Sequence, residues 1–372
     1  MEQKKLKVLF ILGTMEIGGV QSGIMNFAKY TPTEQVHFDV LVQSKREGYH
    51  EKEFKNYGSI YRIPIFQSKS SLLNLLLQLP SDLCWRIRLK SFLKRHPGYD
   101  VVHTKRLTGV ADAMEVAKEC GIPVRVAQSH VDKPEHLNAF SAWYYRWCAK
   151  RIEKSATVKL AVSPGAVDLL YGKYGGRVIK NPTISLARLD PSKYHPQPHE
   201  WIHLIHIGTY SHRKNQSFSV GILKELIHQG IQAKLTFIGY PLDEPEYINE
   251  VKILINKCGL ENNVIFLPKD TDVPKELSES DYMLIPSLRE GLPNVALEAQ
   301  AMGVPCFISD TVNPDTDCGL CTFLSLEDGP EKWANAILKY RDVHGTEKTY
   351  IDMSEWDNVN ICQEYVRIWR GE

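Results

Sequence analysis

Short apolar runs alternate with amphipathic stretches along the whole chain. The first run, residues 7–12, is apolar at nearly every position and leads through a glycine-containing loop into a helical stretch that ends near Lys29. A strand without polar alternation is typical of a parallel sheet that is covered on both faces. Helical segments separate further predicted strands at residues 38–42, 60–63, 100–103, 124–128, 158–162 and 177–179. This order predicts a doubly wound α/β domain over residues 1–182.

The periodicity breaks after Asn181 in a segment rich in proline, where we place a hinge. A second α/β domain is predicted over residues 183–353, and residues 354–372 form an amphipathic helix that we expect to pack back on the first domain. The predicted fold is a pair of Rossmann-like domains facing a central cleft, with ligands beyond the carboxyl ends of the strands. The strands predicted for the second domain are residues 201–207, 234–238, 263–267, 282–285 and 304–309.

Composition and charge exclude several classes of function. The 45 Lys and Arg residues balance 44 Asp and Glu residues, and the resulting net charge of +1 predicts no nucleic-acid partner. The eight cysteines lack the spacing of a disulfide framework, and reduced thiols explain the lone pair Cys318 and Cys321 better than a metal or redox site does. Because the sequence shows no signal-peptide core and no apolar run of about 18 residues, we expect a cytoplasmic protein.

The segment from residue 282 to residue 309 carries the clearest candidate chemistry. It is predicted to form a strand, a tight loop containing Gly291, a short helix at residues 295–302 and a second strand. The free N–H groups at a helix start attract anions, and here they belong to Asn294 and Val295. This segment therefore predicts a phosphate site.

Two carboxylates bracket that helix start. Glu290 lies in the loop before the helix, and Glu298 lies inside the helix among apolar neighbours. An ionised carboxylate accepts hydrogen bonds from hydroxyl groups. The pattern predicts a phosphate cradle with a hydroxyl-binding carboxylate on either side.

Further candidates lie where predicted strands end. Gly18 and Gly19 follow the first strand without the G-x-G-x-x-G dinucleotide pattern, and both a phosphate-binding loop and an ordinary turn fit them. A ligand-binding and a structural role both fit His130. Arg213 and Lys214 open a helix in the second domain, where they either meet a diphosphate or are solvated.

Two Asp-x-Asp triplets, at residues 270–272 and 315–317, are candidates for a divalent metal on a nucleotide sugar. A helix cap explains Asp272 better, because a proline and a helical stretch follow it. The second triplet lies in a loop rich in proline and glycine. We therefore predict no metal site.

Two helical segments combine basic and apolar residues, one from Leu83 to His96 and one from Ala139 to Lys154. They are interpreted either as helices that cover the sheet with a solvated basic face, or as a docking face for an anionic membrane or a lipid-phosphate acceptor. The second interpretation places the protein at the inner face of the cell membrane.

Taken together, these residues resemble the GT4 family of retaining glycosyltransferases with the GT-B fold. Glu290 and Glu298, with Gly291-Leu-Pro-Asn-Val between them, are similar to the E-x7-E motif of that family, and Gly18-Gly19 to its glycine loop. The chain resembles in particular bacterial capsule and exopolysaccharide transferases. Further matching segments, in the expected order, are Asp100-Val-Val-His103, Gln128-Ser-His130, Val162-Ser-Pro-Gly165, Lys214-Asn215 and Ile308-Ser-Asp310.

The resemblance implies a role for each matching residue. Glu298 would hold the ribose hydroxyls of the donor, and the catalytic candidates Glu290 and His130 would face the transferred sugar. Lys214 and two backbone amides would neutralise the leaving diphosphate without a metal ion. The implied donor-binding residues are Gly18, Gly19, Gly208, Arg213, Lys214, Gly291, Leu292, Asn294, Val295 and Glu298.

Three positions depart from the family pattern. Thr209 stands where an arginine is usual, so that Arg213 becomes the candidate for the second phosphate-binding cation. Lys105 stands where a histidine is common. Asn181 is followed by proline instead of glycine at the hinge.

The implied function is transfer of a hexose from a nucleotide-diphosphate sugar, with UDP as the expected nucleotide, to a lipid-linked saccharide. A UDP-sugar 2-epimerase uses the same two-domain frame but needs no acceptor. A non-catalytic subunit that binds a nucleotide sugar is the third hypothesis, and Thr209 is the feature in its favour.

Overall fold

The computed structural model describes residues 4–16, 18–65, 71–105, 109–130, 139–196, 199–240, 244, 246–345 and 347–372, without the side chains of residues 71–82 and 139–141. The chain divides into two units. Unit 1 comprises Met1–Thr183 and Trp356–Glu372, and unit 2 comprises Ile184–Glu355.

The strands of unit 1 form one parallel sheet. They are β1 (Leu6–Leu12), β2 (Val36–Val42), β3 (Ile60–Arg62), β4 (Val101–Thr104), β5 (Val124–Ser129), β6 (Val158–Ala161) and β7 (Arg177–Val178). Their spatial order is β3-β2-β1-β4-β5-β6-β7. The helices between them are α1 (Gly19–Tyr30), α2 (Glu51–Phe54), α3 (Ser71–Arg95), α4 (Val110–Glu119), α5 (Ala139–Ser155) and α6 (Pro164–Tyr171).

Strand β1 lies inside this sheet, between β2 and β4, and is buried on both faces. Val8 and Phe10 belong to the core that contains residues of α1, whereas Leu9 and Ile11 belong to the core that contains residues of α3 and α4. Successive side chains of a strand point to opposite faces. A strand between two helical layers therefore needs apolar residues at nearly every position, and Lys7, which is partly exposed, is the one polar residue of β1.

Unit 2 repeats this architecture with six strands. They are β8 (Ile202–Ile207), β9 (Ala233–Ile238), β10 (Val264–Leu267), β11 (Tyr282–Ile285), β12 (Cys306–Ser309) and β13 (Cys321–Leu324). The spatial order is β10-β9-β8-β11-β12-β13, and the paired strands are parallel. The helices are α7 (Gln216–His228), α8 (Tyr247–Cys258), α9 (Val273–Glu279), α10 (Asn294–Ala301) and α11 (Gly329–His344).

After unit 2, the chain returns to unit 1 as helix α12 (Asn358–Arg370). Tyr365 and Trp369 pack against Phe27 of α1, with ring centroids 4.7 Å and 5.4 Å away. The residues that the amphipathic pattern places on one face of this segment are all buried, namely Trp356, Ile361, Tyr365 and Ile368.

The predicted doubly wound α/β class is confirmed in both units. Most predicted strands end within two residues of the observed ends, but β13 was not predicted, because its four residues are only partly buried and show no clear apolar run. Helix α10 begins at Asn294, one residue earlier than predicted, and Pro293 is the residue that precedes it.

Candidate functional site

In unit 2, three loops meet at the carboxyl ends of neighbouring strands. Strand β8 pairs with β11, and β11 pairs with β12. The Leu288 amide donates to the Arg213 carbonyl over 2.8 Å, which ties the loop after β11 to the loop after β8. The Thr311 hydroxyl donates to the Ser287 carbonyl over 2.8 Å and ties in the loop after β12. The loops that carry the candidate residues of unit 2 therefore lie together.

Asn215 shapes the turn that presents the two candidate cations. Its φ of 59° is the one positive φ among the non-glycine residues that the structure describes. Asparagine tolerates this left-handed conformation better than most residues do. Its side-chain amide also donates to the Pro286 carbonyl over 3.1 Å. Asn215 thus holds Arg213 and Lys214 against the loop after β11.

Both cations contact one carboxylate oxygen. Lys214 Nζ lies 2.6 Å and Arg213 Nη1 lies 2.5 Å from Glu290 Oε1. The side chains of Lys214 and Glu290 are only 14% and 13% exposed, whereas that of Arg213 is 50% exposed. Since partial burial weakens screening by water, we expect the Lys214–Glu290 pair to be the stronger of the two.

The Lys214 side chain packs against the backbone of Gly208. A Cβ atom at Gly208 would lie 3.4 Å from Cδ and Cε of Lys214. Across the sheet, a Cβ at Gly239 would lie 2.0 Å from the Gly208 carbonyl oxygen. A side chain at Gly239 would therefore displace the loop after β8 and move Lys214.

The start of helix α10 presents free backbone donors. The N–H groups of Asn294 and Val295 have no hydrogen-bond partner in the part of the chain that the structure describes. No side chain caps the helix, and a Cβ atom at the exposed Gly291 would meet nothing within 4 Å. Leu292 is partly buried beside it. This helix start is open and electropositive, as an anion site requires.

Glu298 lies one helical turn beyond Asn294. It is partly buried, and its carboxyl group makes no hydrogen bond with any described residue. Burial raises the pKa of the Glu298 carboxyl to about 7, and the nearby Arg188 guanidinium opposes that rise. A carboxyl group that is withdrawn from water without a partner is arranged for a ligand with hydroxyl or amide donors.

The glycine loop of unit 1 precedes helix α1. Gly18 is the residue before the helix, and its carbonyl accepts from the Ser22 amide over 2.9 Å. A Cβ at Gly18 would lie 2.6 Å from Oε1 of Gln21, whereas a Cβ at Gly19 would meet nothing within 4 Å. The exposed Gly19 therefore leaves the backbone of α1 accessible at its first turn.

His130 follows β5 at the carboxyl edge of the sheet in unit 1. Its Nδ1 lies 3.1 Å from Nδ2 of Asn181, and its Nε2 is buried without a partner among the described residues. Burial, aided by the Lys105 ammonium, holds the pKa of His130 well below its usual value. Lys105 and Asn181 were not predicted as site residues, although their positions just after β4 and β7 are the available signal.

One of the two Asp-x-Asp triplets has a local explanation in the structure. Asp272 precedes helix α9, but its side chain makes no capping hydrogen bond, so the prediction that it caps the helix is wrong. Asp317 accepts from the amides of Gly319 and Cys321 over 2.7 Å and 3.0 Å. Within the described ranges, no three His, Cys, Asp or Glu side chains converge as metal ligands would.

The two basic helices α3 and α5 cover the sheet of unit 1, but their basic faces are only partly solvated. Arg86 and Arg151 both pair with Asp112 and Glu115 of α4. The expectation of a solvated basic face is therefore wrong for these two arginines. No helix in the described part of the chain has the length and apolar character needed to cross a membrane.

Two domain families match adjacent parts of the chain. The family described as "Glycosyl transferase 4-like domain" matches residues 18–182, and "Glycosyl transferases group 1" matches residues 202–342. These matches and the two parallel-sheet units define a glycosyltransferase. The chain belongs to the GT4 glycosyltransferases with the GT-B fold.

Two relatives and one solved structure extend over most of the chain. The putative glycosyltransferase EpsF of Bacillus subtilis is 26% identical over 91% of this chain and 88% of its own length. An Escherichia coli UDP-Gal:α-D-GlcNAc-diphosphoundecaprenol α-1,3-galactosyltransferase is 24% identical over 82% of this chain and 80% of its own. HepE of Anabaena in complex with UDP superposes with a TM-score of 0.78 at 17% identity, covering 99% and 100% of the two chains.

Proposed function

We propose that this glycosyltransferase retains the anomeric configuration while it transfers a hexose from a UDP-sugar to a lipid-linked saccharide in polysaccharide biosynthesis. The observation that carries the proposal is the grouping in unit 2 of the Lys214–Glu290 pair, the open start of α10 and the partly buried carboxyl of Glu298. A cation, free amides and a hydroxyl acceptor match the diphosphate and ribose of a nucleotide sugar.

The leaving diphosphate is stabilised without a metal ion. The Lys214 ammonium has three N–H donors, so it can bind a phosphate oxygen while it still contacts Glu290. The amides of Asn294 and Val295 supply fixed dipoles that need no reorganisation as negative charge develops. Thr209 replaces the arginine that is usual in the family, and Arg213 supplies the second cation instead. Arg213 is suitably placed, since it contacts the same oxygen of Glu290 as Lys214 does.

Glu298 accepts hydrogen bonds from the ribose hydroxyls, while Glu290 and His130 contact the transferred sugar. Glu290, which contacts both cations, stabilises positive charge at the reacting carbon. We assign the backbone of Gly18 and Gly19 to the binding of the donor phosphates as well. These roles follow the family resemblance, and the exposed Gly19 backbone supports the last of them.

The nature of both substrates draws on the relatives. HepE was solved with UDP, and the E. coli relative is named for transfer from UDP-Gal to a sugar on diphosphoundecaprenol. A further relative is named as a capsular polysaccharide glycosyltransferase of Staphylococcus aureus, 27% identical over 36% of this chain. These names support a UDP-sugar donor and a lipid-linked acceptor.

An exposed aromatic pair on α5 supports peripheral contact with a membrane. Trp143 and Trp147 are 53% and 40% exposed and stack with ring centroids 6.2 Å apart. Lys150 is exposed one turn further on the same side of the helix. Aromatic rings beside cations are suited to the interface of an anionic membrane.

The double substitution Trp143→Ala/Trp147→Ala should reduce co-sedimentation with vesicles that contain phosphatidylglycerol, and leave binding to neutral vesicles as weak as before. Tyr350→Ala, which removes an equally exposed ring in unit 2, serves as the control. Equal vesicle binding by the wild type and the double variant would contradict a membrane role for α5.

The central test uses Glu298→Ala with UDP-sugars and a polyprenyl-diphosphate sugar acceptor. We expect loss of transfer with an unchanged fold, whereas Glu331→Ala, which removes an exposed carboxylate of α11, should stay active. Formation of a sugar epimer from donor alone would favour the epimerase, and UDP binding without turnover the non-catalytic subunit. Loss of activity with a chelator would contradict metal independence.

A further inference from the structure

In unit 1, a series of hydrogen-bonded polar side chains lies on the face of the sheet that α1 and α12 cover. It begins at the Trp369 indole of α12, which lies 3.3 Å from Nδ1 of His103. Nε2 of His103 lies 2.9 Å from Oε1 of Gln128. All three side chains are at most 1% exposed, so water does not compete for these hydrogen bonds.

The direction of the first hydrogen bonds follows from the chemistry of tryptophan. An indole N–H can only donate, so His103 accepts at Nδ1. Burial and the nearby Lys105 hold the pKa of His103 well below its usual value, which leaves the ring one proton. That proton lies on Nε2 and is donated to Oε1 of Gln128, and the amide nitrogen of Gln128 becomes the next donor.

Gln128 then donates to two acceptors. Its Nε2 lies 2.6 Å from the Tyr365 hydroxyl and 3.3 Å from Oδ1 of Asn181. Lys105 Nζ also donates to Oδ1 of Asn181, over 3.1 Å. Two independent donors therefore face the same side of the Asn181 amide. The oxygen of Asn181 must point towards them, and its NH₂ group must point towards His130.

The Asn181 NH₂ group lies 3.1 Å from Nδ1 of His130 and can only donate to it. We propose that Lys105 and Asn181 are positioning residues that keep the single proton of His130 on Nε2, so that His130 donates a hydrogen bond to an oxygen of the transferred sugar and does not act as a general base. Nε2 is buried and has no acceptor among the described residues, which is the arrangement of a donor that awaits a ligand. The contact with the sugar rests on the proposed function.

Burial, with the charge of Lys105 as a second cause, keeps His130 neutral. Among the described residues, Lys105 and His103 are the titratable groups that act on His130, and Lys105 opposes a second proton there whenever it is itself protonated. Lys105 itself lies over the rings of Phe27 and Tyr365, 4.7 Å and 5.4 Å from their centroids, and Cys362 is the titratable group that acts on it. No described carboxylate pairs with Lys105 or His130. This network thus contains no acid that would draw the proton to Nδ1.

The tautomer can be measured without any substrate. In protein labelled with ¹⁵N-histidine, long-range ¹H–¹⁵N spectra at pH 7.5 should show His130 protonated on Nε2 and unprotonated on Nδ1. His130→Gln identifies the signal by its loss among the thirteen histidines. A proton on Nδ1 would overturn the proposal. This readout is independent of whether the protein transfers a sugar.

Asn181→Asp reverses the direction of the last hydrogen bond, because a carboxylate at this position can only accept. We expect the neutral His130 to move its proton to Nδ1, lose its Nε2 donor and lose activity about tenfold at pH 8. The new carboxylate also raises the pKa of His130. As the pH falls through that pKa, His130 gains a second proton, Nε2 regains its donor, and activity relative to the wild type should rise.

Asn263→Asp is the matched control, since the Asn263 amide donates a 2.9 Å hydrogen bond in unit 2. It should leave the His130 spectrum and the pH profile unchanged. An activity loss in Asn181→Asp that is the same at every pH would overturn the donor role of His130. If the tautomer is as proposed and Asn181→Asp transfers sugar at the wild-type rate, the contact with the sugar is refuted while the network stands.

Discussion

Donor affinity should depend on pH through Glu298. The unliganded carboxyl has a pKa of about 7, because burial disfavours its charged form. Two ribose hydroxyls donate best to an ionised carboxylate, so nucleoside binding must remove the proton from any Glu298 that carries one. Affinity should therefore rise with pH through about 7 and level off above it.

The magnitude follows from that pKa. The apparent Kd is multiplied by 1 + 10^(pKa − pH), which is about 11 at pH 6 and about 1.1 at pH 8, so affinity should change about tenfold. Arg188 opposes the rise in the pKa of Glu298. Arg188→Met should therefore move the midpoint of the affinity curve to higher pH.

Titration calorimetry with uridine is the suitable assay, because uridine has the ribose but no phosphate that titrates in this range. Glu298→Gln keeps the size of the side chain and cannot ionise, so its weaker uridine affinity should be the same at pH 6 and pH 8. A wild-type affinity that is flat over this range, or a variant that keeps the wild-type pH dependence, would refute the reasoning.

Two further predictions concern lysines. Lys214→Met should weaken binding of UDP at least tenfold but leave uridine binding unchanged, because the ammonium meets only the diphosphate; equal losses for both ligands would contradict this role. Burial lowers the pKa of Lys105 to about 7. The unfolded chain therefore binds more protons between pH 7 and pH 10, and stability rises over this range by about 4 kcal/mol through Lys105. Urea unfolding of Lys105→Met should show a rise that is smaller than that of the wild type by about 4 kcal/mol, whereas the full rise should persist in Lys5→Met, which removes an exposed lysine of unit 1.

The sequence predicts the parts of this protein that depend on local pattern. The continuous apolar run of β1 has one explanation, a strand covered on both faces, and the structure has it. The elements of the segment from β11 to β12 could also be predicted, because its strand, loop and helix follow one another directly in the sequence. The half-buried edge strand β13 has no such pattern and was not predicted.

Contacts between distant parts of the chain could not be predicted in this way. Glu290 pairs with cations 76 and 77 residues away, and the pairing depends on β8 and β11 being neighbours in the sheet. Arg86 and Arg151 look solvated in sequence, since the acids that bind them lie on α4. Lys105 appears only as a departure from a family pattern until its contact with Asn181 is seen.

Because α12 returns to unit 1, the two units of this enzyme cannot complete their folding in the order in which they are synthesised. Unit 2 is one uninterrupted segment, and all of its contacts are available once residue 355 has left the ribosome. The first unit must wait, because Tyr365 and Trp369 enter its core from residues made after unit 2. Domains generally fold as they are synthesised. Here the earlier-made unit finishes last, and a nascent chain that stops short of residue 369 lacks the indole from which the His130 network begins.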